Sequence, residues 1–420
     1  MDILLLFIGL FCLLLKRRDL TIAIIVILAS SYLQLPLQPQ YSVGRFPIVH
    51  NISDAGLLLY LFMFVPSLFN KNACFKGKIQ NAVTVFYVFL LLNGLYDIYN
   101  GTSIGDVLRY IKGWSFLSLI YIYKTFKPKE VLNSLRIVCQ VTFVVCLCMV
   151  ILSVFDIDFG HSILVAKGGR GYKPPSFAIL CSVLYIINIF KVNNPIRYTY
   201  ALIYLAPIVL NVKMTYLLSV ILIIVIYLLM RKSINISNKI IAVFLSGIVI
   251  IGFFTFNTNV SSRLIDLTSG ITSALQGDVE DNFSYRLLHA TERLNFILDS
   301  PSTAIRGLGY ISEVNYKDVT FELGVWNASL KRVDQLNNGD IVWSNLFLRL
   351  GLLGLCIYLF MYFRFLGVFY KYRFNNKCNS AFFLFLLISL LFTSLGNDLI
   401  GYGDFFIFPI LFMNPNLLKS

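Results

Sequence analysis

Tyr285-Arg286-Leu287-Leu288-His289-Ala290-Thr291-Glu292-Arg293 sits inside the only long polar stretch of this chain, which runs from about Asn257 to Asp340. The charged patch Gly277-Asp278-Val279-Glu280-Asp281 precedes it. Asp299-Ser300-Pro301, Arg306-Gly307-Leu308-Gly309 and Asn337-Asn338-Gly339-Asp340 follow before apolar sequence resumes. Everything on either side is a succession of apolar runs. The chain has 420 residues, 58% of them hydrophobic and 13% charged, with a mean hydropathy of +0.77. A soluble domain carries roughly 25% charged residues. The composition therefore predicts an all-α, polytopic integral membrane protein in which one long polar loop interrupts the spans.

Outward from that loop, runs long enough or nearly long enough to span a bilayer fall at about 3–15, 20–36, 52–69, 79–95, 107–123, 131–155, 175–190 and 199–212. Others fall at about 214–230, 240–256, 343–363, 380–396 and 404–414. This predicts 12–13 transmembrane helices in three parts: an N-terminal bundle (1–256), the long loop with an amphipathic helix (257–342), and C-terminal helices (343–420). More than half of the 35 Lys and Arg residues lie in short segments such as Lys16-Arg17-Arg18, Lys124/Lys127/Lys129 and Lys371/Arg373/Lys377. Basic residues in short loops mark the cytoplasmic side. The segments 37–51, 96–106, 156–174, 257–342 and 397–403 are then expected to face outward. The eight cysteines show no metal-ligand spacing, and no cofactor or nucleic-acid partner is expected.

The outward set carries basic residues that insertion does not require. Lys167-Gly168-Gly169-Arg170-Gly171-Tyr172-Lys173 places three cations among three glycines, which let backbone approach a ligand closely. Lys213 opens an apolar helix. Arg286, His289 and Arg293 fall at i, i+3 and i+7, so they share one helix face, while Leu287, Leu294 and Leu298 form an apolar stripe on another. This pattern predicts a helix lying on the outer membrane surface with its basic face toward headgroups. Arginine's planar fork suits phosphate oxygens, so an outward anion site is one reading and solvated loop charge the other. Arg109, Lys112, Arg136 and Arg349 lie within spans or at their starts, where charge usually faces a cavity or a partner. For Arg109 and Lys112, snorkelling to the interface is the alternative. Asp156-Ile157-Asp158 matches a short metal-holding pattern of glycosyltransferases that arises often by chance. Asp340 precedes the next helix, as a cap or as a general base toward a sugar hydroxyl.

Arg286, Pro301 and Gly307-Leu308-Gly309 together resemble the long periplasmic loop of the O-antigen polymerase and O-antigen ligase superfamily. Asp340-Ile341-Val342-Trp343-Ser344-Asn345 running on to Arg349-Leu350-Gly351-Leu352-Leu353-Gly354 is similar to that family's passage from loop to helix. Arg170 and Lys213-Met214-Thr215 also sit where the family places basic residues. The resemblance implies a multi-pass glycosyltransferase of the bacterial inner membrane that needs no metal or nucleotide sugar. Its donor would be an undecaprenyl-diphosphate-linked oligosaccharide drawn from the lipid bilayer, with a flippase and a chain-length regulator as further partners. Arg170 and Arg286 would hold the diphosphate, with Lys213, Arg293, Lys167, Lys173, His289 and Tyr172 in support, and Asp340 would act as base. Ligases typically carry His-Asn where this chain has Asp340-Ile341, so the resemblance favours the Wzy-type polymerase. A ligase, a flippase of lipid-linked saccharide and a non-catalytic scaffold are the alternatives.

Overall fold

A computed structural model of the chain describes residues 2–30, 52–157, 162–164, 170–172, 175, 177–210, 214–231, 282–313, 315–316, 318, 320–327, 332–336, 341–395 and 400–419. These residues are mostly helical. The helices are α1 (Asp2–Leu14), α2 (Arg18–Ala29), α3 (Ile52–Leu68), α4 (Lys78–Tyr99), α5 (Ile104–Lys112), α6 (Pro128–Val154), α7 (Ala178–Ile186), α8 (Asn194–Leu210) and α9 (Met214–Met230). Then come α10 (Asn282–Leu298), α11 (Pro301–Arg306), α12 (Val342–Tyr372), α13 (Lys377–Leu391), α14 (Ile407–Phe412) and α15 (Pro415–Lys419). Two short antiparallel hairpins complete the set. β1 (Ser162–Leu164) pairs with β2 (Arg170–Tyr172), and β3 (Val325–Asn327) pairs with β4 (Arg332–Asp334).

Among the described residues, three helices are long and apolar enough to cross a membrane: Lys78–Tyr99, Pro128–Val154 and Val342–Tyr372. Their outer faces stay apolar: Val85, Val88, Leu91, Leu92 and Leu95 of α4 are all exposed, as suits a surface turned to hydrocarbon. α2 and α13 are buried on nearly every side. α12 packs along α4, α13, α10 and α11, which makes it the axis joining bundle and polar segment. Local sequence sets the helix starts. Ser103 caps α5 by accepting the Asp106 amide at 3.1 Å, and Pro128 begins α6 with Glu130 reaching back to the Lys127 amide at 2.9 Å.

Several apolar runs are not the single spans that hydropathy predicts, and the run at 175–190 yields only the nine-residue α7. The run at 107–123 divides into α5 and two 3₁₀ segments, Ser115–Tyr121 and Tyr123–Thr125. Side chains and other loops supply partners for this irregular backbone, the condition for such backbone at membrane depth. Tyr87 Oη donates to the Trp114 carbonyl at 2.8 Å, and the Gly403 amide donates to that of Gly113 at 2.9 Å. The run at 404–414 yields only a 3₁₀ turn and the six-residue α14, both buried in the core. The run at 240–256 lies outside the described residues.

Candidate functional site

The described residues of the long polar stretch, all of them beyond 281, form a folded layer. Ile297, Tyr316, Phe321 and Leu336 from the stretch close a small core with Phe347 and Leu348 of α12. Arg293 organises the layer from within. It is 0% exposed, pairs with Glu292 at 2.5 Å and donates to the carbonyls of Gln335, at 2.9 Å, and Leu323. Its guanidinium lies 4.3 Å from the Phe321 ring centre. Burial lowers its pKa to about 10, which leaves it charged at neutral pH. His289, also buried, faces the Ser344 hydroxyl across 3.1 Å. Desolvation, with the neighbouring Arg293 charge, pushes its pKa down to about 3, so the ring is neutral.

The orientation of α10 is therefore the reverse of the expected one. Its His289 and Arg293 face turns inward, and of the apolar stripe Leu287 and Leu298 are 41% and 53% exposed while Leu294 packs against the layer's small core. A buried arginine with three partners is a fixture of the layer and has no access to headgroups. Arg286, one turn before His289, is partly buried.

A clasp of glycines seats this layer on α12. The axis of α12 breaks at Gly351, whose φ of 64° and ψ of −175° are not helical. Gly307 approaches the break with a φ of 75°, and a Cβ on it would stand 2.5 Å from the Leu348 carbonyl oxygen. A Cβ on Gly351 would stand 2.4 Å from the Gly307 nitrogen. Glycine alone permits this meeting of backbones. The break leaves the Leu348 carbonyl to accept the Leu308 amide at 2.7 Å. Gly354 in turn lies against the Phe89 ring of α4. Gly307-Leu308-Gly309 and Gly351-Leu352-Leu353-Gly354 are thus two halves of one joint.

Beside the clasp lies a cavity of about 280 Å³. α5 supplies Asp106, Arg109 and Tyr110, and Trp114 follows. Tyr310, Ile311, Ser312 and Glu313 come from the polar layer, Asn345 and Arg349 from α12, and Tyr402 from the segment before α14. Arg349 Nη1 donates to the carbonyl of Gly309 at 3.4 Å and to that of Ile311. Arg109 is exposed and sits 3.7 Å from the Asp106 carboxylate. Asp106 accepts the Ser312 amide at 3.2 Å and Asn315 Nδ2 at 2.5 Å. Glu313 accepts the amides of Gln335 and Leu336, each at 2.7 Å. The carboxylates secure the layer, while two arginines and four aromatic rings give the cavity its chemistry. Lys112, the companion of Arg109 in sequence, is directed to Asp54 instead.

Of the expected site residues, α10 carries Arg286, His289 and Arg293 together. The backbone of Arg170 and Tyr172 forms β2, which lies against α6 and α8, whereas α10 lies against α11 and α12. Lys167, Lys173, Lys213 and Asp340 lie outside the described residues, as does Asp158. Among the described residues, no three His, Cys, Asp or Glu side chains gather as a metal site requires. Sequence reading missed Tyr110, Tyr310 and Tyr402 as partners, because aromatic residues are abundant throughout this chain. No family model matches the chain, and no curated protein matches it either.

Proposed function

We propose that this chain is a membrane-embedded glycosyltransferase, a polysaccharide polymerase that joins undecaprenyl-diphosphate-linked repeat units at the outer face of the bacterial cytoplasmic membrane. One observation carries the reading: Arg349, beside the break in a span-length helix, lines a cavity roofed by the folded polar layer. An arginine at membrane depth is expensive and marks a functional cavity or pathway by default. Broken helices likewise recur where membrane proteins hold ligands. Aromatic walls with a few polar groups suit a sugar, whose ring has apolar faces and a polar rim.

In the reaction, an acceptor hydroxyl of one repeat unit attacks the anomeric carbon of another. The bond from that carbon to the diphosphate breaks, and the lipid diphosphate leaves with the electron pair. Arg349 and Arg109 would stabilise the charge that grows on it, with Arg286 and Arg170 as further candidates from the outward loops. The hydroxyl proton passes to a base, for which Asp340 is the candidate.

The test is a gel of surface polysaccharide and lipid-linked glycan from a strain lacking the protein, complemented in turn by the parent, Arg349→Ala and Arg109→Ala. Single repeat units on their normal acceptor, with the ladder restored only by the parent, establish the polymerase. A ladder retained on the lipid carrier makes the protein a ligase. Single units trapped on the cytoplasmic side make it a transporter. A full ladder in both arginine variants removes the cavity from the reaction.

A further inference from the structure

We infer that Asp97 is the positioning residue of the cavity: it fixes one wall of the site from behind without lining it. The inference rests on the reading of that cavity as the substrate site. Asp97 lies in the last turn of α4 and is 2% exposed. Its two oxygens do different work. Oδ1 accepts Arg306 Nη1 at 2.9 Å, and Oδ2 accepts the backbone amide of Tyr310 at 2.7 Å. One turn earlier on the same helix, Asn93 Nδ2 donates to the Arg306 carbonyl at 3.1 Å. The Arg306 guanidinium also lies 4.2 Å from the Tyr96 ring centre. Gly309, between the two bonded positions, has a φ of 88°, and a Cβ there would stand 2.4 Å from each Asp97 oxygen. The strap of residues 306–313 is thereby pressed onto the carboxylate along its first part, residues 306–310.

The next residues along the strap, Tyr310 to Glu313, are the cavity wall. Tyr310 stacks on Tyr110 with ring centres 4.4 Å apart, so its placement sets a second wall as well. The carbonyls of Gly309 and Ile311 that orient Arg349 belong to the same strap. Asp97 thus acts on Arg349 and on the tyrosine pair through the strap.

The experiment introduces Asp97→Ala, Asp97→Asn and Arg306→Gln into the full chain carrying Ile311→Cys. It follows labelling by a membrane-impermeant maleimide, counted above the chain without Ile311→Cys. Polymer formation is scored in the same strains. Loss of a hydrogen bond to a charged group should raise the open population of the strap, and with it the labelling rate, on the order of tenfold or more in Asp97→Ala. Asp97→Asn, which keeps an acceptor for the Tyr310 amide, should restore part of both protection and polymer, and Arg306→Gln should behave like it. If Asp97→Ala does not insert, the order of these two milder variants against the parent carries the test. Labelling at the parental rate in all variants overturns the inference. So does faster labelling with a polymer ladder unchanged. A parent strain whose ladder never depends on this protein would refute the proposed function, and the labelling rates would still decide whether Asp97 holds the strap.

Discussion

At the residue scale, Arg293 and His289 show how a charge pattern reads differently once its partners are known. Arg293 satisfies two carbonyls and a carboxylate while lying over an aromatic ring, a combination that needs a planar fork. Arg293→Ala should strip the layer of its central tie and cost about 3–5 kcal/mol, the penalty for breaking a buried pair. Arg293→Lys should recover little of it, as thermal unfolding of detergent-purified protein would show; near-complete recovery would mean that charge alone matters. His289 adds a pH dependence. Its folded pKa of about 3 lies below its ordinary value of 6.5, so in acid the unfolded chain takes a proton that the folded chain refuses. Its contribution is intact above 6.5 and is lost as pH falls toward 3, by at most about 1.4 kcal/mol per pH unit. His289→Gln should therefore flatten the fall in melting temperature between about pH 7.5 and about pH 4.5. An unchanged slope would place the acid sensitivity elsewhere. Sequence could place both residues on one helix face, but it could not say that the face turns inward. Two of the partners of Arg293 are the carbonyls of residues 323 and 335, which have no signature in a sequence, and the Ser344 hydroxyl that faces His289 comes from a distant helix.

At the element scale, the break in α12 and the turn at Gly307 form a single joint. Both glycines have positive φ and each blocks a Cβ on the other. Gly307→Ala and Gly351→Ala should each cost at least about 1–2 kcal/mol from the left-handed conformation alone. Backbone overlap adds to that cost, because neither backbone can move aside independently. Gly367 provides the comparison within the same helix, since a Cβ there meets nothing within 4 Å. Gly367→Ala should be neutral or stabilising by up to about 1 kcal/mol. Melting temperatures of the three variants check this, and equal effects at Gly351 and Gly367 would refute the clasp. The glycine motifs were legible in the sequence as motifs, and Arg349 was legible as a costly charge inside a span. The pairing of Gly307 with Gly351 was not, because only the folded layer brings them together. Hydropathy also misjudged the run at 107–123, where Gly113 and the turn at Trp114 divert an apolar segment into 3₁₀ structure. Averages over a window register composition and overlook such interruptions.

At the scale of the whole molecule, the loops sort into two groups at opposite ends of the helices. One group gathers at the cavity: the end of α4, the start of α5, the polar layer and residues 401–402. The other gathers around residues 124–126. There Arg18 donates to the Thr125 carbonyl at 3.1 Å, Lys124 meets Cys74 Sγ at 3.3 Å, and Asn414 Nδ2 donates to the Phe126 carbonyl at 2.9 Å. Asn379 Nδ2 ties the Leu418 carbonyl to the same end at 2.8 Å. The basic short segments belong to this second group, so the proposed function, read with the positive-inside rule, expects this group in the cytoplasm and the cavity at the outer face. Cysteines introduced at Asn100→Cys and Lys129→Cys should then separate cleanly in intact cells. An impermeant maleimide should reach the first and should reach the second only after the membrane is opened. Labelling of both from outside would show that α6 and its neighbours do not divide the chain into two sides. Labelling of Lys129→Cys alone would invert the molecule and put the cavity in the cytoplasm. A donor presented on the outer leaflet could not enter there, and outward polymerisation would have to be abandoned along with the orientation.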